Sequence, residues 1–263
     1  MHPVLFRIGG LEVVSYSLAL AVAFAVGVWV ACRRAPRHGV DPELILEVGT
    51  AAVVSSLLGS RLLWVVTHPE VFRPPQGTFT DAFGLSGLSM QGGIVLAVVT
   101  CIGWIVFRGG SILRTSDLAL TSVALGEGIT RIGCFLNGCC HGVETDLPWA
   151  VSFPAGSLPW QVLGDVAVHP AQLYAAAGGF ALFAALSAWL AREPAPGLVA
   201  AGWLLGTGFL RIAVDVFRWY EPEVTLATIG GVAFTVNTPV SLAMLAAGAA
   251  LWIAIARRRH GSA

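Results

Sequence analysis

The chain has no lysine; all fifteen of its basic residues are arginine. They form no dense basic tract and the formal net charge is zero, so composition offers nothing to a nucleic acid. Charged residues of both signs make up only 11% of the sequence, against roughly 25% in a soluble domain. With 56% hydrophobic residues, that shortage excludes a soluble globular protein and implies an integral membrane one. The first thirty residues lack a basic leader and a small-residue cleavage site, so the first apolar segment reads as a retained span. No soluble domain, low-complexity tract or internal repeat is visible. A single membrane domain over 1–263 is expected.

What the chain does have is long apolar runs. About 20 apolar residues cross a bilayer as a helix. Seven segments qualify, at about 13–32, 44–66, 89–107, 115–136, 170–191, 197–217 and 239–256. Turn-forming clusters such as Arg73-Pro74-Pro75-Gln76-Gly77 and Glu193-Pro194-Ala195-Pro196-Gly197 separate them. The fold class is therefore an all-α membrane protein of seven helices with irregular loops, residues 137–169 forming a small head region.

Arginine placement gives the direction. Loops on one side hold Arg33, Arg34, Arg37, Arg108, Arg114 and Arg192 with the tail residues Arg257, Arg258 and Arg259; the other side holds Arg7, Arg73 and Arg218. Nine against three is a positive-inside bias. It places the amino terminus outside and the carboxyl terminus in the cytoplasm.

Charged residues inside the apolar segments include Arg61, Glu127, Arg131, Arg211 and Asp215. Each costs roughly 2.5–3.5 kcal/mol at membrane depth on insertion scales, so such residues face a protein interior and carry function. Glu127/Arg131 and Arg211/Asp215 are spaced i,i+4, which puts each pair on one helix face. Buried guanidinium groups hold anions or clip helices together. With Tyr16 and Gln91, these residues fall near the outer ends of five spans. A shared depth of this kind points to one cavity in the outer half of the bilayer. No polar residues continue the series inward, which argues against a transport path.

The cysteines are uneven. Cys32 and Cys101 lie alone in apolar segments and read as small core residues. Cys134, Cys139, Cys140 and His141 cluster beside the outer loop, where a structural disulfide is the plainest reading. A direct role near the substrate and a metal site are the alternatives; the spacing matches none of the usual zinc patterns. The loop 137–169 also carries Asp146, Trp149, Trp160 and His169, with no basic residue. Its tryptophans suit interfacial anchoring.

Several ordered strings then carry a resemblance. "GSRL" (Gly59 to Leu62), "GLSMQGG" (Gly87 to Gly93), "RIGCFLNGCCHG" (Arg131 to Gly142), "TDLPWAVSF" (Thr145 to Phe153), "HPAQLY" (His169 to Tyr174), "FLRIAVDVFR" (Phe209 to Arg218) and "LATIGG" (Leu226 to Gly231) occur in this order. Over nearly the whole chain this set resembles the prolipoprotein diacylglyceryl transferase family. The resemblance implies a multi-pass enzyme of the bacterial inner membrane. Such enzymes move the diacylglyceryl group of phosphatidylglycerol onto the lipobox cysteine of prolipoproteins, releasing glycerol phosphate. It implies no cofactor, no resident metal and a monomer.

The resemblance also assigns residues. Arg131 and Arg211 match the family's essential arginines, Tyr16 its functional tyrosine and Gly142 the glycine closing its long motif. Asp215 stands where the family usually has Glu. Gln91 replaces a His, Cys134 an Asn and Cys139 a Glu; Val143 and Ala175 replace an Arg and an acid. The expected catalytic set is Arg131, Arg211, Tyr16 and His141, with His169 as a second candidate base. Phosphatidylglycerol is expected to meet Arg131, Arg211, Gln91, Gly142 and Asp215, while Arg61 serves as support. The replacements leave a second function open: a relative with a cysteine-based redox or metal-binding role.

Overall fold

The computed structural model describes residues 3–9, 11–72, 87–221, 224–229 and 232–260. The Arg73–Gly77 turn cluster, Gly230-Gly231 and the Arg259 side chain lie outside the described residues. A hairpin of β1 (Val4–Ile8) and β2 (Leu11–Val14) leads into α1 (Ser15–Arg34), α2 (Pro42–Thr67), α3 (Met90–Phe107) and α4 (Ile112–Asn137). The head region holds β3 (Val151–Ser152), the short α5 (Leu158–Leu163) and β4 (Ala167–Val168), with β3 and β4 paired antiparallel. Then come α6 (Ala171–Leu190), α7 (Leu198–Asp215), the hairpin of β5 (Thr225–Ile229) and β6 (Val232–Thr235), and α8 (Thr238–His260).

Seven of these helices are long and apolar enough to cross a membrane, which makes this a multi-pass membrane protein. They sit within a few residues of the seven expected spans. The burial pattern is inverted relative to a soluble protein: Phe107 and Phe209 are 79% and 69% exposed, whereas Ala124 and Ala201 are fully buried. Large apolar groups face the lipid because lipid, unlike water, exacts nothing for it, and small residues let helices approach.

The chain divides into two compact units, Cys32–Thr115 and the combination of Met1–Ala31 with Ser116–Ala263. In the first, α2 starts with Pro42 at its first turn and Asp41 as cap, its carboxylate accepting from Glu43 N at 2.9 Å. Its Gly59 lies against Gly92 of α3 so closely that a Cβ on either would overlap the other's carbonyl. Glu47 pairs with Arg108 and accepts from Trp104 Nε1 at 3.0 Å. Arg61 donates to the Gly87 carbonyl at 3.0 Å and lies over the Trp64 ring, a supporting role for the loop entering α3.

In the second unit, α4 is the central helix. Gly126 and Gly133 lie against Ala23 and Ala19 of α1, and Gly128 meets Gly179 of α6. Asp117, 4% exposed, accepts from the backbone N–H groups of Gly197 and Ala200, both at 2.7 Å. A buried carboxylate thus caps the amino terminus of α7, where orphan N–H groups and the helix dipole favour an anion. This contact fixes the register of α7 on α4.

Candidate functional site

The helices of the second unit close around one polar cleft. Its walls are Glu127 and Arg131 from α4, Gln172 and Ala175 from α6, and Leu210, Arg211, Val214 and Asp215 from α7. Ala171, Cys140 of the loop after α4 and Arg218 of the turn after α7 complete it. Counting space open to the surroundings, the cleft spans about 360 Å³.

The charge distribution is lopsided. Arg131 Nη2 is 3.9 Å from Glu127 Oε1, a loose contact. Asp215, 8% exposed, is engaged elsewhere: Tyr220 donates its hydroxyl proton to Oδ1 at 2.5 Å. Burial, followed by the nearby Asp215, pushes the Tyr220 phenol up to about 12, so it stays protonated and keeps donating. Arg218 lies over the Tyr220 ring at 4.7 Å, a cation–π contact. Arg211 and Asp215 share a helix face, as their i,i+4 spacing implies, but the carboxylate accepts from the Tyr220 hydroxyl.

Hydrogen bonds are missing where they are costly to lack. The Nε atoms of Arg131, Arg211 and Arg218 are buried without a hydrogen-bond partner, as is Oε1 of Gln172. Unmet buried donors in one cleft await acceptors. Three guanidiniums with free N–H groups can grip a phosphate, whose oxygens match the planar Arg fork.

The loop after α4 shapes the rim. Gly138 and Cys140 both have positive φ, 78° and 60°, and the second is a strained value for a side chain with a Cβ. Gly142 bridges to Arg218 and donates to the His169 carbonyl at 3.1 Å. A Cβ at Gly142 would overlap His169 and the Phe217 carbonyl, so only glycine fits this close approach. Hydrogen bonds from Cys134 and Cys139, then the Arg218 and Arg131 guanidiniums, hold the Cys140 thiol below its ordinary range.

The other expected residues are placed as follows. His141 is buried and stacked on Trp219, 5.2 Å between ring centres, and is not among the cleft walls. Its Nδ1 is 3.1 Å from the Gly142 carbonyl; a carbonyl only accepts, so Nδ1 carries the proton and Nε2 the lone pair. Burial pushes its pKa down. His169 Nδ1 is 3.2 Å from the Tyr174 hydroxyl, which itself accepts from Trp149 at 2.7 Å. Tyr16, at the start of α1, lies within electrostatic reach of Cys134, Cys139, Cys140 and Arg131. Gln91 belongs to the first unit, is exposed, and accepts from Ser89 at 3.1 Å.

Two findings correct the sequence reading. The expected disulfide is absent: Cys134, Cys139 and Cys140 are free, as are Cys32 and Cys101. Arg218 and Gln172 are cleft residues, though the sequence offered the first only as a loop charge and the second only within a motif. A signal for Arg218 existed: Arg211, Asp215 and Arg218 are spaced i, i+4, i+7, the stripe of one helix face.

Seven apolar helices and a cleft walled by buried arginines define a class, a multi-pass membrane protein able to bind an anionic group from within the bilayer. Comparison with known proteins narrows it. A family model described as prolipoprotein diacylglyceryl transferase matches residues 3–254. Relatives named phosphatidylglycerol–prolipoprotein diacylglyceryl transferase include that of Vibrio vulnificus, 32% identical over 99% of this chain and 93% of its own length. Those of Pseudoalteromonas translucida (31%, covering 96% and 92%) and Finegoldia magna (28%, covering 96% and 95%) agree. The chain belongs to the prolipoprotein diacylglyceryl transferase family.

Proposed function

We propose that this chain transfers the diacylglyceryl group of phosphatidylglycerol to the lipobox cysteine thiol of prolipoproteins, at the outer half of the bacterial inner membrane, as a monomer. The observation that carries the reading is the set of three buried, unpartnered guanidinium Nε atoms lining one cleft. Family membership supplies the reaction, and the cleft supplies a place for its phosphate.

Chemically, a C–O bond of the lipid breaks as a C–S bond forms, and the departing glycerol phosphate takes the electron pair. Negative charge therefore grows on the phosphate oxygens. Arg131 and Arg211 hold those oxygens, and Arg218 adds a third guanidinium. Their charge matters more in a water-poor cleft than in bulk solvent, since low dielectric strengthens it. Leu210 and Val214 line the cleft beside them and suit the start of the diacylglycerol.

The nucleophile is a thiolate, favoured next to guanidinium groups. Nε2 of His141 has the lone pair to take the thiol proton, and Tyr16 reaches the same cysteine-rich rim. Asp215 orders the cleft through Tyr220, and Gly142 allows the rim to close. Gln91 is assigned to lipid contact on the motif resemblance alone. The test is genetic: expression of this chain in a strain depleted of its own diacylglyceryl transferase should restore growth and lipidated prolipoprotein. Failure to do so at normal membrane abundance contradicts the reading.

A further inference from the structure

Cys134, Cys139 and Cys140 form the group of clustered metal-ligand side chains among the described residues, with all three sulfurs within 4.8 Å of one another. The clustering is built, not incidental. Cys134 sits on the last turn of α4 at 3% exposure, Gly138 breaks the helix with positive φ, and Cys140 is held at φ 60°. A strained residue of this kind persists only where its surroundings impose it. Here the strain turns the third sulfur back onto the first two.

The spacing fits a thiophilic ion. Zinc–sulfur bonds of about 2.3 Å in a tetrahedral site place sulfurs ~3.8 Å apart, so a closure of about 1 Å suffices. Three sulfur ligands with a vacant fourth position is the arrangement of a catalytic rather than a structural zinc site. Three thiolates, a fourth from the substrate and a divalent cation carry two net negative charges, which Arg131 and Arg218 near Cys140 balance. Cys140 is also a cleft wall. The vacant position thus borders the place assigned to the lipid phosphate.

We propose that Cys134, Cys139 and Cys140 bind a divalent thiophilic ion of the zinc type, whose fourth position takes the substrate cysteine thiol as thiolate. The idea rests on the transferase reading. On coordination the thiol proton passes to Nε2 of His141, since a metal-bound thiol is deprotonated outright. The bound sulfur then attacks the lipid carbon; a C–S bond forms, the C–O bond breaks, and glycerol phosphate departs with its electron pair. The thioether product is a weaker ligand and dissociates, freeing the metal. No electrons enter or leave the cycle.

The test uses the purified full-length protein in detergent, stripped with a chelator and kept reduced. Titration with cadmium alone should give a thiolate-to-metal ultraviolet band that saturates at one ion per chain. Cys139→Ser should abolish it, and Cys32→Ser and Cys101→Ser should leave it unchanged. With zinc, X-ray absorption should count three sulfurs, rising to four when a lipobox peptide is added. Chelation should slow transfer about tenfold or more, with zinc restoring it. Full transfer in metal-free protein, a cadmium band unaffected by Cys139→Ser, or a native disulfide among the three cysteines overturns the site and leaves the transferase reading standing. Stoichiometric metal binding with no transfer under any condition refutes the transferase reading, and with it the role given to the metal.

Discussion

The hydroxyl of Tyr220 donates to the carboxylate of Asp215 at 2.5 Å, and Asp215 makes no ion pair with Arg211 four residues earlier. An acid paired with Arg211 would compete with the phosphate proposed to bind there. Tyr220→Phe should release the carboxylate toward Arg211 and raise KM for phosphatidylglycerol, with a loss of about 0.5–1.5 kcal/mol in stability. The phenol also predicts a pH effect. Its folded pKa of about 12 lies above the ordinary phenol value of 10.0, so the stabilisation is complete below pH 10.0 and is lost as pH rises toward 12. Thermal melts across that window should show a decline in the native protein that is smaller in Tyr220→Phe. Equal declines would contradict it.

Gly142→Ala should damage the rim rather than the spans. The added Cβ meets His169 and the Phe217 carbonyl, backbone and ring-bearing groups that cannot step aside cheaply. A cost of about 1–3 kcal/mol is expected for such overpacking. Detergent melting should drop and transfer should fall with it; a variant of native stability would show that the approach is looser than described.

Asp117→Ala removes both acceptors from the amino terminus of α7. Two buried N–H groups are left unpaired, each costing about 1–3 kcal/mol. Low membrane abundance and a lowered melting temperature are expected. Asp117→Asn keeps one acceptor oxygen and should recover part of the loss.

The spans were readable in the sequence because a bilayer sets their length, and each helix falls within a few residues of its expected position. The small elements were not. Four- and five-residue strands such as β2 and β5 carry too little periodicity to separate from loop. Asp117 escaped notice because a lone acid near the end of an apolar run resembles an interfacial residue; its partners lie eighty residues away in sequence. Arg131 and Arg211 were visible as isolated charges in apolar surroundings. Arg218 was masked because the stripe it continues runs beyond the apolar segment. Spacing put Asp215 on the same face as Arg211, but its Tyr220 partner could be found only from the folded turn. The cysteine cluster was equally visible, but spacing cannot distinguish a disulfide from three adjacent thiols.

The arginine count predicts an orientation that is open to direct test. With the amino terminus outside, a carboxyl-terminal fluorescent protein should be active and a carboxyl-terminal alkaline phosphatase silent. An active phosphatase fusion would reverse the assignment and move the cleft to the cytoplasmic half.

The central claim is that the cleft arginines hold the phosphate of the lipid donor. It is tested most directly by transfer of labelled diacylglycerol from phosphatidylglycerol to a lipobox peptide, comparing the native protein with Arg131→Lys and Arg211→Lys. Lysine keeps the charge and loses the planar fork. Each variant should fold normally and lose about tenfold or more in kcat/KM, equivalent to about 1.4 kcal/mol of transition-state stabilisation. Native rates in both variants would contradict the account.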